Sequence, residues 1–265
     1  MPPLVTAHAA CKGHAPENTL AGIHAALRLG ADAIEIDVHC TRDAVPVLLH
    51  DATVDRTTDG TGAIAALSLR QARRLRLRSG QGLDAGGGER IPTLREVLDA
   101  VAGKALLVLE IKAVEIEEDV LGVVRRAKAL DWCAVHSFWP QVVGRVRVVE
   151  PKMPCSLLTG GREVVDWGQL FAFALSLGAQ GVAINHAAIT PELVSSAHRR
   201  ELNVSTWTVN RQIEVRRVAA AGVDAITSDY PDRVRRWLPK RLLGAALGGR
   251  PKAKRRWSRT AQQAR

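Results

Sequence analysis

The residues best suited to chemistry begin in the stretch AIEIDVHCTRDAVPVLLHD, from Ala33 to Asp51. Its first part, Ala33–Val38, has a strand pattern. Side chains two apart on a strand share a face, so Glu35 and Asp37 point the same way. Two carboxylates side by side in an apolar strand repel each other and are costly to desolvate. A bound cation is the simplest group that offsets this cost. The chain then turns at Thr41-Arg42-Asp43-Ala44 and returns as Pro46–His50. That connection is too short for a parallel crossover, so an antiparallel hairpin is predicted. If the turn centres on Arg42 and Asp43, facing positions sum to about 85 and His50 lies opposite Glu35, within a residue or two. Two carboxylates and an imidazole can therefore meet at one spot. The plainer alternative is a surface hairpin with solvated acids.

Elements able to position these groups recur along the chain. Strand patterns are present at Leu4–His8, Ala33–Val38, Pro46–His50, Ala105–Lys112, Cys133–Phe138, Cys155–Thr159, Gly181–Asn185, Val204–Val209 and Ala225–Asp229. Most are short continuous apolar runs, as in strands buried on both faces. Without the hairpin return, eight strands alternate with helical segments, which is the count of a (β/α)8 barrel. Helix starts are predicted at Asn18 or Thr19, at Ser68 (Leu69 to Arg78), at Thr93 (Leu94 to Ala102) and at Pro191. In such barrels the active site lies at the C-terminal ends of the strands. His8, Glu35, Asp37, Glu110, Lys112, Ser137, Trp207 and Asn210 all fall at or near such ends. Glu110 and Lys112 are again two apart and share a face. His14, His39, His136, His186 and His198 read as ordinary loop or surface histidines, and Gly60-Thr61-Gly62 as a turn.

The whole-chain properties are those of a globular protein. At 265 residues, with 46% hydrophobic and 24% charged residues, the chain can bury a sizeable core. The four cysteines are scattered and form no CxxC pair, which argues against zinc-finger and thioredoxin chemistry. Reduced thiols in a cytoplasmic protein are expected. No signal-like N-terminus and no apolar run of transmembrane length is read. The net charge of +10 is local: nine of the 37 basic residues lie from Lys240 to Arg265, with no acidic residue among them. The remaining 28 nearly balance the 27 acidic residues. Residues 240–265 read first as a flexible solvated tail and second as a weak contact with anionic membrane. Specific nucleic-acid binding is not expected, because Trp257 is the tail's only stacking residue.

The segments HAACKGHAPENTLAGI, GADAIEIDVHCTRDAVPVLLHD, DRTTDGTG, IPTLREVLDAV, LLVLEIK, HSF, STWTVN and GVDAITSDYP, in this order and spacing, resemble the glycerophosphodiester phosphodiesterase family over about residues 4 to 239. The resemblance implies an α/β fold: a TIM barrel over residues 1–239 with a small insertion after the second strand, at about 52–90. It implies hydrolysis of glycerophosphodiesters to an alcohol and sn-glycerol 3-phosphate. A divalent cation, Mg2+ or Ca2+, would be held by Glu35, Asp37 and Glu110, with His8 and His50 as general acid and base. Lys112 would meet the phosphate, Glu17 would support the site, and Trp207 would form part of the substrate wall.

One departure stands out. Where the family has His-Arg-Gly, this chain has His8-Ala9-Ala10. A bidentate arginine–phosphate contact is strong, so its loss leaves Lys12 or Arg56 as the substitutes in sequence. Two alternatives follow: a lysophospholipase D-like or sphingomyelinase D-like activity on lipid substrates, and a phosphate-ligand binder without turnover.

Overall fold

The computed structural model describes residues 2–78, 89–164 and 166–239. The glycine-rich stretch Gly80–Gly88, which reads as a loop in sequence, and the basic segment 240–265 lie outside the described residues. The strands are β1 (Leu4–Ala7), β2 (Ala33–Cys40), β3 (Pro46–Leu48), β4 (Leu106–Ile111), β5 (Cys133–Ser137), β6 (Cys155–Thr159), β7 (Gly181–Asn185), β8 (Asn203–Trp207) and β9 (Ala225–Ser228). Their order is β1-β9-β8-β7-β6-β5-β4-β2-β3, with β1 also pairing β2. Eight parallel strands therefore close into a TIM barrel, and β3 is an antiparallel addition to β2.

The strand sequences explain this closure. β2, β5 and β6 are buried at every position, as required where one face meets the barrel interior and the other meets helices. Between the strands run helices α1 (Leu20–Arg28), α2 (Leu69–Ala72), α3 (Leu94–Val101), α4 (Glu117–Arg126), α5 (Pro140–Val149), α6 (Trp167–Ser176), α7 (Pro191–His198), α8 (Gln212–Ala221) and α9 (Pro231–Trp237). Thr19 caps α1 by accepting from the Gly22 amide. A capping box of Thr93 and Glu96 opens α3.

One local expectation is corrected. The helix after Ser68 stops at Ala72 instead of Arg78. Beyond it Leu75 and Leu77 turn inward onto a small separate core of Val47, Leu49, Val54, Ile64, Ala72 and Ile91. Arg73 clasps both oxygens of Glu96 at 2.9 Å, joining this segment to α3. The predicted antiparallel hairpin is present with its register inside the expected residue or two: Val38 faces Leu48, His39 faces Val47 and Cys40 faces Pro46. Ala44, at φ 57, adds a third residue to the turn, and the Thr41 amide donates to Val45 O. This is the three-residue loop geometry with a left-handed last position.

β3 takes the place beside β2 that β1 leaves. β1 pairs with β2 only through Thr6–Ala33 and Ala7–Ile34. Beyond that, β3 joins β2, and β1 runs instead into a tight 3-10 turn at His8–Ala10. Ala9, Ala10 and Cys11 in this turn are all left-handed, with φ 44, 55 and 71. Each such non-glycine residue costs about 1–2 kcal/mol. The turn is seated on α1 at Gly22, where a Cβ would come within 1.9 Å of Ala10 O, so only glycine fits there.

Candidate active site

At the C-terminal end of the barrel, β2 and β4 set three carboxylates together. Asp37 and Glu110 are direct neighbours in the parallel register, and Glu35 is two residues earlier on the same face. One ligand oxygen from each of Glu35, Asp37 and Glu110 lies within 4.8 Å of the others. The β1–α1 loop supplies two polar supports. The Ala9 amide donates to Glu35 Oε2 at 2.8 Å. Asn18 donates through Nδ2 to Asp37 Oδ2 at 2.7 Å and accepts from the Asp37 amide at 3.0 Å. Lys112, just past β4, places Nζ 3.0 Å from Asp37 Oδ1 and 2.6 Å from Glu110 Oε1.

The electrostatics follow from this crowding. Burial, then the charges of Asp37 and Glu110, push the Glu35 carboxyl well above the usual range. Burial also raises Glu110, with the Asp37 charge adding to it against Lys112. For Asp37 burial is outweighed by Lys112, Asn18 and His50, which hold its carboxyl low. Lys112 is itself kept protonated, its burial outweighed by Asp37 and Glu110. Glu35 Oε1 is fully buried with no hydrogen-bond partner. A buried carboxylate oxygen left unpaired in a three-acid cluster is what a hard cation would satisfy, and carboxylate oxygens are the ligands Mg2+ and Ca2+ prefer. The residues present therefore fit a divalent cation.

Two histidines flank the cluster, each backed by an aspartate. His8 ends β1, and its Nδ1 lies 2.6 Å from Asp229 Oδ1 at the end of β9. Asn210 donates to Asp229 Oδ2 at 2.7 Å and accepts from the Asp229 amide at 3.0 Å and from the Ser228 hydroxyl at 2.9 Å. His50 follows β3, and its Nδ1 lies 2.8 Å from Asp51 Oδ1. Arg56 binds the other oxygen of Asp51. On the far side, Trp207 donates to Ala183 O at 3.1 Å, and its ring stands perpendicular to Phe138 at 5.5 Å.

The profile of the glycerophosphoryl diester phosphodiesterase family matches residues 8–233. The chain belongs to that family. It is thus an enzyme, a phosphoric diester hydrolase. A glycerophosphodiester phosphodiesterase of Caldanaerobacter subterraneus subsp. tengcongensis is 34% identical over 245 residues, covering 88% of this chain and 96% of the relative. The rat glycerophosphodiester phosphodiesterase 1 is 30% identical over 237 residues, covering 77% of this chain and 71% of its own. Among solved structures, an Oleispira antarctica phosphodiesterase in complex with the product sn-glycerol-3-phosphate superposes with a TM-score of 0.77 at 27% identity, covering 89% of this chain and 97% of that one.

With the family known, each predicted residue has a location. Glu35, Asp37, Glu110 and Lys112 form one cluster. Glu17 binds Arg56 instead of the cluster. Lys12 sits in the His8 loop with Nζ 3.9 Å from Asp229 Oδ1. His39 and His136 are corrections: both are buried, 7% exposed each, and are not surface histidines. His136 pairs in register with Glu110, and burial pushes its imidazole down to about 4, so it stays neutral. The sequence reading missed Asn18, Asp51 and Asp229. Asn18 and Asp51 adjoin residues that were named, and Asp229 ends the last strand. The signal was each one's place beside a strand end or a histidine.

Proposed function

We propose that this chain hydrolyses glycerophosphodiesters to an alcohol and sn-glycerol 3-phosphate, using one divalent cation, Mg2+ or Ca2+, and His8 and His50 as general acid and base. The observation that carries this reading is the Glu35–Asp37–Glu110 cluster, two of its acids buried, with an unpaired Glu35 Oε1, in a chain of this family. When bound, the cation would neutralise and orient the phosphodiester. One imidazole takes a proton from the attacking oxygen nucleophile as that oxygen bonds to phosphorus, and the net reaction consumes one water. The other gives a proton to the alkoxide as its P–O bond breaks. Lys112 adds fixed positive charge beside the developing negative charge. It takes on part of the role left open by Ala9, with Lys12 as a second point charge at the loop. Trp207 and Phe138 form an apolar wall for the substrate. The four cysteines are buried and free, which agrees with a reducing, cytoplasmic setting. Among the described residues no helix is long and apolar enough to cross a membrane.

Exposed Phe138 (43%) and Trp139 (49%) beside this wall favour a second reading, in which the alcohol carries an acyl chain as in a lysophospholipid. Product analysis separates the two: glycerol 3-phosphate from glycerophosphocholine against lysophosphatidic acid from lysophosphatidylcholine. For the cation, calorimetric titration of Mg2+ and Ca2+ should find one site, lost in Glu35→Gln together with turnover. Unchanged metal binding in that variant refutes the assignment.

A further inference from the structure

Arg56 has no part in the chemistry above, yet it makes two short charged bonds. Its Nε donates to Asp51 Oδ2 at 2.5 Å, and its Nη2 donates to Glu17 Oε1 at 2.5 Å. Asp51 uses its other oxygen for His50. Glu17 lies 39 residues away in sequence, in the β1–α1 loop that also carries His8 and Asn18. The line His50–Asp51–Arg56–Glu17 therefore ties the loop of one histidine to the loop of the other. The backbone beneath Arg56 is held: Val54 is fully buried, and both the Thr58 amide and the Thr58 hydroxyl donate to Val54 O.

The side chains in this line differ in how well the barrel holds them. His50 is 47% exposed and Asp51 31% exposed, so packing alone leaves both room to turn toward water. A guanidinium is a planar fork that can hold two carboxylates at a set angle, which a lysine ammonium cannot do. With Oδ2 held by Arg56, Oδ1 stays on His50 Nδ1 and leaves Nε2 for the reacting oxygen. The Arg56 bond, first among its influences, lowers the Asp51 carboxyl to about 2 and keeps it ionised.

We propose that Arg56 is a positioning residue for His50, fixing Asp51 and hence the imidazole relative to the β1–α1 loop, with Glu17 as its anchor. This rests on the acid–base role of His50 given above.

The test uses the purified full chain with Mg2+, assayed on glycerophosphocholine, alongside 15N NMR of the histidine-labelled protein to read the His50 tautomer. In Arg56→Gln, kcat should fall about tenfold with KM within about twofold, and the share of His50 with its proton on Nδ1 should drop. Arg56→Lys should restore only part of both. Glu17→Gln should give a smaller loss, and the double variant Glu17→Gln/Arg56→Gln should be no worse than Arg56→Gln alone. A rise in KM at constant kcat overturns the proposal and makes Arg56 a substrate contact. An unchanged kcat and tautomer overturns it and leaves a surface bridge. If the wild type turns over no glycerophosphodiester, the functional reading falls, and the tautomer measurement alone decides whether Arg56 positions His50.

Discussion

His8 stands at the end of β1 with its Nδ1 2.6 Å from Asp229, and His50 stands past β3 with its Nδ1 2.8 Å from Asp51. The same ring nitrogen meets the same kind of carboxylate, but the support behind each carboxylate differs. Asp229 is 15% exposed and is held by Asn210, itself bonded to Ser228, at the rim of β8 and β9, with Lys12 Nζ more distant at 3.9 Å. Asp51 is 31% exposed and is held by the charged Arg56, which reaches across to Glu17. The barrel rim orients His8 by packing and amide bonds. β3 is an addition outside the closed barrel, and His50 is 47% exposed, so the Asp51–Arg56 ion pair does more of the orienting there. A carboxylate behind an imidazole fixes which nitrogen bears the proton, and the surroundings decide how firmly.

The largest effect removes the rings themselves. His8→Ala and His50→Ala should each lower kcat about a thousandfold, measured by release of glycerol 3-phosphate. A variant that keeps near wild-type turnover would take that histidine out of the acid–base pair.

The next effect separates the two supports. Asp229→Asn should cost about a hundredfold in kcat and Asp51→Asn about tenfold. An asparagine at 229 has one acceptor oxygen for two neighbours, His8 and Asn210, and little water nearby to replace the lost bond. At 51, solvent can take part. Equal losses, or the reverse order, would mean that burial does not set the strength of the support.

The smallest effect is on stability in acid. The folded Asp51 carboxyl is depressed from 3.8 to about 2. A depressed acid contributes stability above its unfolded value and loses it as pH falls through its folded value. The melting temperature of the wild type should therefore exceed that of Asp51→Asn at pH 5, and the gap should narrow from about pH 4 and close below about pH 2. A gap that stays at its pH 5 size at about pH 2 would place the stabilisation elsewhere.

Much of this molecule was legible in its residues. The strand runs of Cys155–Thr159 and Gly181–Asn185 were read with their observed bounds, because a strand buried on both faces needs a continuous apolar run. Glu35 and Asp37 were read as sharing a face from their spacing alone, since a strand repeats every two residues. The helix after Ser68 was misjudged because local pattern cannot say that Leu75 and Leu77 have their own small core to fill. His136 was misjudged because a strand residue facing a barrel interior looks the same in sequence as one facing solvent.

The sequence by itself determined the strand–helix alternation, the Glu35–Asp37 pair on β2, the Glu110–Lys112 pair at the end of β4, and the hairpin that returns His50. All of these depend on spacing within one element or across one short turn. Only the tertiary structure decided the partners: Asp229 for His8, Glu17 for Arg56, and Asn18 for Asp37, at separations of 221, 39 and 19 residues. Those contacts depend on barrel closure and on where β1 leaves β2, and closure is a property of all eight strands together.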